Sequence, residues 1–381
     1  MTSVHIVSGT RADYGIYEPV ARALIADGWD VAFVLTGMHL VSAFGNTQTV
    51  VDDDGFRVAA RIPSILAEDT PGNMGRCTAL QLQGLIPVLE ADRPDWVMLL
   101  GDRGEMMAGA LAALYTGIPS IHLFGGEISG TIDEPMRHAI SKLASLHLTA
   151  TSQAAERLRR MGEDAWRVHE VGAPRLDSMS DPLPSLGDVA AAHSMPVTAK
   201  EYTLLLFHPV VTELADIGRQ VREVVEGCRR IGLPIVCVGA NADAGSAAIR
   251  SAYAAFATGA SDFHLVDNFA PAEYLTILKN ARVMVGNSSS GIIEAASFHL
   301  PVINVGTRQS GRDRSGNVQD VEADSDAIVT AYKRAESPDF QATLRTLRNI
   351  YGDGHSAERI VRVLDGLDLS RPWLQKRLAY T

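Results

Sequence analysis

Cysteine is scarce. The 381-residue chain holds three, Cys77, Cys228 and Cys237, with no C-x-x-C spacing, which excludes a disulfide framework and a zinc site of the usual kind. Excess positive charge is also missing. Thirty-four Lys and Arg stand against 45 Asp and Glu, a formal net charge of −11, so the basic field that non-specific nucleic-acid binding requires is absent. A few local arginines must therefore hold any anionic ligand. Long apolar runs are lacking as well: Leu204–Phe207 and Val97–Leu100 fall far short of the ~20 residues that span a bilayer. The opening run, Val4-His5-Ile6-Val7, carries no basic segment or cleavage signal. The cytoplasm is the expected location, with neither nucleic acid nor membrane as partner.

Apolar residues, by contrast, make up 46% of the chain and charged ones 21%, the balance of an ordinary globular protein. The length corresponds to two or three domains at ~150 residues each. Short β-branched runs alternate with helical-period segments, the pattern of parallel βαβ units. One series has strands at Val4–Val7, Val31–Leu35, Trp96–Leu100, Ser120–Leu123, Leu146–Ala150 and Arg167–Val171. A second has Thr203–Phe207, Pro234–Val238, Phe263–Val266, Val283–Val285 and Val302–Asn304. Proline and small residues in Pro174–Lys200 break both periodicities. The expectation is an α/β chain of two Rossmann-like, doubly wound domains facing a cleft, residues 1–173 and 201–365, joined by a linker at 174–200 and followed by a helical tail at 366–381.

Ligands of such sheets bind outside the carboxyl ends of the strands, and six motifs fall there. Gly9-Thr10-Arg11-Ala12-Asp13-Tyr14 follows the first strand; Arg11 can fork onto a phosphate, or Thr10 can simply cap a helix. It is not G-x-G-x-x-G, so a dinucleotide fingerprint is absent. Gly101-Asp102-Arg103-Gly104-Glu105 puts an acid at a strand end. Gly125-Gly126-Glu127 leads to Ser129-Gly130-Thr131-Ile132-Asp133-Glu134 and then Arg137-His138, a crowd of carboxylates whose pKa values can separate for proton transfer. Asp133 and Glu134 equally suit a helix's first turn. Phe207-His208-Pro209 holds a histidine extended at a strand end. Gly286-Asn287-Ser288-Ser289-Ser290-Gly291 gathers hydroxyls and backbone N–H groups at a helix start, an anion site by geometry, with Glu294 in the first turn. Gly306-Thr307-Arg308-Gln309 with Gly311-Arg312-Asp313-Arg314 clusters arginines suited to a diphosphate.

Jointly these motifs resemble the hydrolysing UDP-N-acetylglucosamine 2-epimerases, which supply N-acetylmannosamine for sialic-acid synthesis, and their bacillosamine-derivative relatives. The resemblance runs from residue 8 to beyond 312. It implies a GT-B-like architecture with the nucleotide held mainly by the C-terminal domain. Ser288, Ser289, Glu294 and Arg312 look like nucleotide-diphosphate ligands, with Arg11 and His208 reaching the phosphates; Arg103, Asn287, Ser290 and Arg308 join this set. Asp102, Glu127 and Asp133 look like the carboxylates acting on the sugar, with Glu134 and Arg137 beside them. Arg11-Ala12-Asp13-Tyr14 is similar to hydrolysing members, whereas non-hydrolysing relatives usually have Arg-Pro-Glu, so hydrolysis is favoured. The reaction implied is UDP-N-acetylglucosamine plus water to N-acetylmannosamine plus UDP, by elimination to a glycal and addition of water. No metal or cofactor is implied, and a homodimer or homotetramer is. The alternatives are a 2-epimerase hydrolysing a UDP- or GDP-linked 2,4-diacetamido-2,4,6-trideoxyhexose for legionaminic-type acids, a GT-B glycosyltransferase, and a nucleotide-sugar sensor.

Overall fold

The computed structural model describes residues 1–381 except 43–44, 67–69, 129–133, 240–244, 369 and 380–381. The chain divides into two units. The first comprises residues 1–127, 132–178 and 351–381; the second comprises 128–131 and 179–350.

The first unit is built on strands β1 (Ser3–Ser8), β2 (Asp30–Thr36), β3 (Val58–Ile62), β4 (Trp96–Leu100), β5 (Ser120–Leu123), β6 (Leu146–Thr149) and β7 (Val168–Glu170). They lie in the order β3-β2-β1-β4-β5-β6-β7, every pairing parallel, with Val4 opposite Val31 on one side and Trp96 on the other. All five residues of β4 are buried, so the central strands read as apolar runs rather than alternating ones. Helices Pro71–Asp92 and Gly104–Thr116 cover one face, where Leu85, Leu89, Met106 and Ala110 meet Val7, Val97 and Leu99. Each fully buried Val or Leu of this kind contributes ~1.5–3 kcal/mol.

The second unit carries β8 (Thr203–Leu206), β9 (Ile235–Val238), β10 (Phe263–Val266), β11 (Val283–Gly286), β12 (Val302–Val305) and β13 (Val318–Val321), ordered β10-β9-β8-β11-β12-β13 and again all parallel. Period-two alternation splits its core in two. Leu205, Val283, Val285 and Ile303 pack with helix Ile217–Ile231 on one side, while Leu204, Leu206, Met284 and Val302 face the other.

The observed units depart from the expected boundaries at both ends. Residues 179–200 belong to the second unit; there helix Leu186–Ala192 and the turn after it send Val189 and Met195 into the core with Tyr202 and Leu204. The chain then returns to the first unit at Tyr351, and helix Ser356–Asp365 packs on helix Arg11–Ala26 instead of closing the second domain. Its first turn is fixed by Asp177, which accepts from the N–H groups of Ser356 (2.9 Å) and Ala357 (2.6 Å). Among the described residues of 366–379 the tail beyond it is not helical. Two cations tie it down. Arg167 donates to the carbonyls of Trp373 (3.0 Å) and Gln375 (3.2 Å) and lies over the rings of Trp166 and Trp373. Lys376 donates to the carbonyls of Ser141 (3.0 Å), Lys142 (3.1 Å) and Ala144 (2.6 Å), the negative end of helix Glu134–Leu143. Among the described residues no helix is long and apolar enough to cross a membrane.

Candidate active site

In each sheet the strand order turns back once, between β1 and β4 in the first and between β8 and β11 in the second. Doubly wound sheets bind ligands at such points, outside the carboxyl ends of the strands. The motif residues fall on these loops and their neighbours.

After β1, Thr10 caps helix Arg11–Ala26: its hydroxyl accepts from the Asp13 N–H (3.2 Å). Asp13 returns the contact, Oδ2 accepting from the N–H groups of Thr10 (3.0 Å) and Gly9 (3.2 Å). The bland reading of this segment, a capped βα turn, is thus realised in full, and Arg11 stands exposed in its first turn. Burial pushes the Asp13 carboxyl up to about 6; Arg103 pulls it down and Glu105 pushes it up. Arg103 ends the loop after β4 and Glu105 lies in the first turn of helix Gly104–Thr116; Arg103 Nε donates to Glu105 Oε1 at 2.7 Å. The two segments touch closely at Gly9: a β-carbon there would stand 2.1 Å from Glu105 Oε1 and would have to push that side chain aside.

Asp102 is half-buried and ion-paired with Arg137, which helix Glu134–Leu143 brings in from 35 residues away. Arg137 is 4% exposed, so the Asp102 carboxylate offsets a buried charge. Glu127, after β5, is 1% exposed; the Tyr351 hydroxyl stands 3.5 Å from its Oε2. Glu134 is half-buried, its Oε1 3.4 Å from His138 Nε2. Asp133, with Ser129-Gly130-Thr131-Ile132, lies outside the described residues.

In the second unit the Asn287 side chain laces two strand-end loops together. Its Oδ1 accepts from the His208 N–H (2.7 Å) and its Nδ2 donates to the His208 carbonyl (2.8 Å). Both ends of the Asn287 amide are thus engaged by the backbone of the neighbouring loop, which the side chain braces, and the residue is 1% exposed. Gly286 makes the approach possible, with φ +138 and a would-be β-carbon only 1.8 Å from the Leu206 carbonyl oxygen. Burial, reinforced by Arg308, pushes the His208 imidazole down to about 3.

The serine run forms a short turn of helix, Ser289–Ile293, capped by Ser288. Tyr274 donates to Ser290 Oγ at 2.6 Å. Glu294 falls at the end of this five-residue helix rather than in a first turn, and is 4% exposed. The arginine loop closes on the same place: Arg308 Nη1 (3.1 Å) and Gln309 Nε2 (2.9 Å) both donate to the Asn287 carbonyl. Arg314 stabilises the loop itself, bonding the carbonyls of Arg312 (3.0 Å) and Gln309 (2.7 Å) and pairing with Asp320 (3.0 Å). Arg312 is half-buried, its Nη1 3.4 Å from Gln309 Oε1.

Motif reading left out three residues that the structure joins to these loops. Tyr351 lies 224 positions from Glu127, a separation that no local pattern betrays. Gln309, in the arginine loop, and His122, on β5, carry no signal of their own in the sequence that marks these contacts.

Comparison with known proteins fits this geometry. Residues 22–365 match the family model described as UDP-N-acetylglucosamine 2-epimerase. A UDP-N,N'-diacetylbacillosamine 2-epimerase (hydrolyzing) of Legionella pneumophila is 41% identical over 376 residues, 98% of each chain. A UDP-N-acetylglucosamine 2-epimerase of Neisseria meningitidis is 32% identical over 88% of each. Among solved structures, a UDP-GlcNAc 2-epimerase from Neisseria meningitidis bound to UDP-GlcNAc aligns with a TM-score of 0.80 at 17% identity, over 96% of this chain and 99% of that one. That likeness is one of fold, the GT-B-like pair of parallel-sheet domains expected from the sequence. With the family model spanning most of its length, the chain belongs to the UDP-N-acetylglucosamine 2-epimerase family.

Proposed function

We propose that this protein is a hydrolysing 2-epimerase of a UDP-linked 2-acetamido sugar, with the UDP-linked 2,4-diacetamido-2,4,6-trideoxy sugar as its preferred substrate. The observation that carries the reading is the 41% identity, across 98% of both chains, to the Legionella pneumophila enzyme named for that sugar and for hydrolysis. UDP-N-acetylglucosamine, the substrate expected from the sequence, is the second reading, favoured by the 32% identical Neisseria meningitidis relative.

The chemistry follows from what the site residues offer. The proton on sugar carbon 2 is weakly acidic, and a carboxylate removes it while the C1–O bond breaks and UDP leaves with the bonding pair. The C2–H pair becomes the C1=C2 double bond of a glycal. A proton then adds to carbon 2 from the opposite face and water supplies hydroxyl at carbon 1, giving the free 2-epimer. Asp102, steadied by Arg137, and Glu127 are the carboxylates proposed for the proton steps, with Asp133 and Glu134 as further members of the set. Arg11, Arg103, Arg308, Arg312, His208 and the hydroxyls of Ser288–Ser290 are proposed to receive the departing diphosphate, whose charge is largest as the bond breaks. Asn287 contributes by holding the His208 loop in place.

Proton NMR in deuterated water tests this with both sugar nucleotides supplied in turn and in competition. Free 2-epimer carrying deuterium at carbon 2, together with UDP, is the expected product. The ratio of kcat/KM values ranks the two substrates. Release of UDP with no deuterium at carbon 2 would overturn the elimination mechanism, and accumulation of a UDP-linked epimer would overturn hydrolysis.

A further inference from the structure

His122 sits on β5 with no exposed surface, and no step proposed above uses it. Its Nε2 lies 2.7 Å from the carbonyl oxygen of Gly101, the residue before Asp102, and its Nδ1 lies 3.0 Å from Ser141 Oγ. A carbonyl can only accept. The ring proton therefore belongs on Nε2, and Nδ1 accepts from the serine hydroxyl. Burial pushes the imidazole down to about 3; the Gly101 carbonyl pulls the other way, and His147, Arg137 and Lys376 add to the push. The ring thus remains neutral, in one tautomer.

Ser141 stands four residues after Arg137 on helix Glu134–Leu143, so the two share a face. One imidazole consequently spans from the backbone preceding Asp102 to the helix that delivers the guanidinium paired with Asp102. The Gly101 N–H is itself held by the Leu123 carbonyl of β5 at 2.9 Å, so β5 grips both backbone polar groups of that residue, one in each peptide link flanking it. We infer that His122 is a positioning residue, setting the Asp102 carboxylate against Arg137 by bridging Gly101 to Ser141. Its kinetic consequence rests on the epimerase reading; its structural consequence does not.

The test compares His122→Leu, which removes the bridge, with His122→Gln, whose amide can donate to the Gly101 carbonyl. His122→Leu should lower kcat about 100-fold, the cost of displacing a reacting group by about an ångström, while KM and UDP affinity stay within about twofold. His122→Gln should recover to within about fivefold of wild type. The second readout is the Arg137 Nε–H signal, assigned by its loss in Arg137→Lys. It should move in His122→Leu and return in His122→Gln. Should His122→Leu not fold, Ser141→Ala breaks the other end of the bridge and should move the same signal. An unmoved Arg137 signal, or kcat within about threefold of wild type in His122→Leu, overturns the inference. So does a His122 ring that titrates between about pH 5 and 8. If wild-type protein turns over neither sugar nucleotide, the epimerase reading falls, and the Arg137 signal alone decides this one.

Discussion

Glu163→Gln is the most informative single change outside the candidate site, because two charges there oppose each other with measurable consequences. The Glu163 side chain has no exposed surface. Lys142 donates to its Oε1 at 2.7 Å, while its Oε2 lies 3.0 Å from His147 Nε2 and 2.6 Å from Lys376 Nζ. Burial alone would raise its carboxyl, but the His147 hydrogen bond, the His147 and Lys376 charges and the Lys142 hydrogen bond reverse this and hold it at about 2 against an ordinary 4.5. At 1.36 kcal/mol per pH unit that is ~3 kcal/mol of stability. Because the folded value is the lower one, this stability is fully present above 4.5 and is lost as pH falls toward 2. Lys376 runs the other way. Burial, partly offset by Glu163, lowers it from 10.5 to about 8, so the folded state holds this proton more weakly than the unfolded chain does. That costs ~3 kcal/mol below pH 8, and the cost is relieved as pH rises from 8 through 10.5.

Near neutrality the two effects nearly cancel, as is common for buried pairs. Glu163→Gln removes the favourable member and leaves the cost, so stability at pH 7 should fall by ~3 kcal/mol. The deficit should shrink on both sides: in acid because wild type loses its advantage, in alkali because Lys376 deprotonates earlier in the variant. Urea unfolding followed by tryptophan fluorescence measures this cleanly. All four tryptophans (Trp29, Trp96, Trp166, Trp373) lie in the first unit, and Trp96 and Trp166 each meet the tail's Trp373 at 5.0 Å between ring centroids. A deficit below ~1 kcal/mol at pH 7, or one unchanged between pH 7 and pH 4, would mean that packing rather than charge governs the cluster.

The other predictions concern the loops. Asn287→Ala removes both side-chain hydrogen bonds to the half-buried His208 backbone and should cost ~1–3 kcal/mol, lowering the calorimetric melting of the second unit; equal melting removes the bracing role. Asp102→Asn should cut kcat by about 100-fold or more with UDP affinity unchanged by titration calorimetry, and lost affinity would place Asp102 on the nucleotide instead. Arg312→Ala should weaken UDP binding ~10- to 100-fold, the value of one or two hydrogen bonds to a charged group, and lower kcat as well, because the charge it meets grows as the C1–O bond breaks. Unchanged affinity would take Arg312 out of the diphosphate set.

The sequence made the apolar strands of each sheet legible, the edges β7 and β10 among them, and left one polar edge of each dark. Strands such as Trp96–Leu100 are buried on both faces, so their apolar runs stand out. Val58–Ile62 and Val318–Val321 went unread because they are the edge strands β3 and β13, half-exposed and carrying Arg61, Gln319 and Asp320. The return of the chain at Tyr351 was equally hidden: an amphipathic helix such as Ser356–Asp365 declares that it has a core to cover without declaring which. For the site, position at a strand end singled out Asp102, Glu127, His208 and the serine run. Sorting ligands from braces needed coordinates. Asn287 reads like a phosphate contact among serines until its partner 79 residues away is seen.

That sorting has a physical basis in the topology. Where the strand order turns back, two loops diverge from adjacent strands and leave a crevice floored by backbone ends with no ladder partner. Those ends must be satisfied before anything else can bind. In the first unit Asp13 takes the N–H groups of Gly9 and Thr10; in the second Asn287 takes both backbone groups of His208. In each unit, then, a short polar side chain of one loop or its helix fixes the crevice floor. Longer or more exposed side chains beside it, Arg11 in one and Arg308 and Arg312 in the other, are those we propose as ligands. On this argument a polar motif at a turn-back point contains both kinds of residue by necessity. Substituting a brace should change stability first and affinity second, while substituting a ligand should do the reverse.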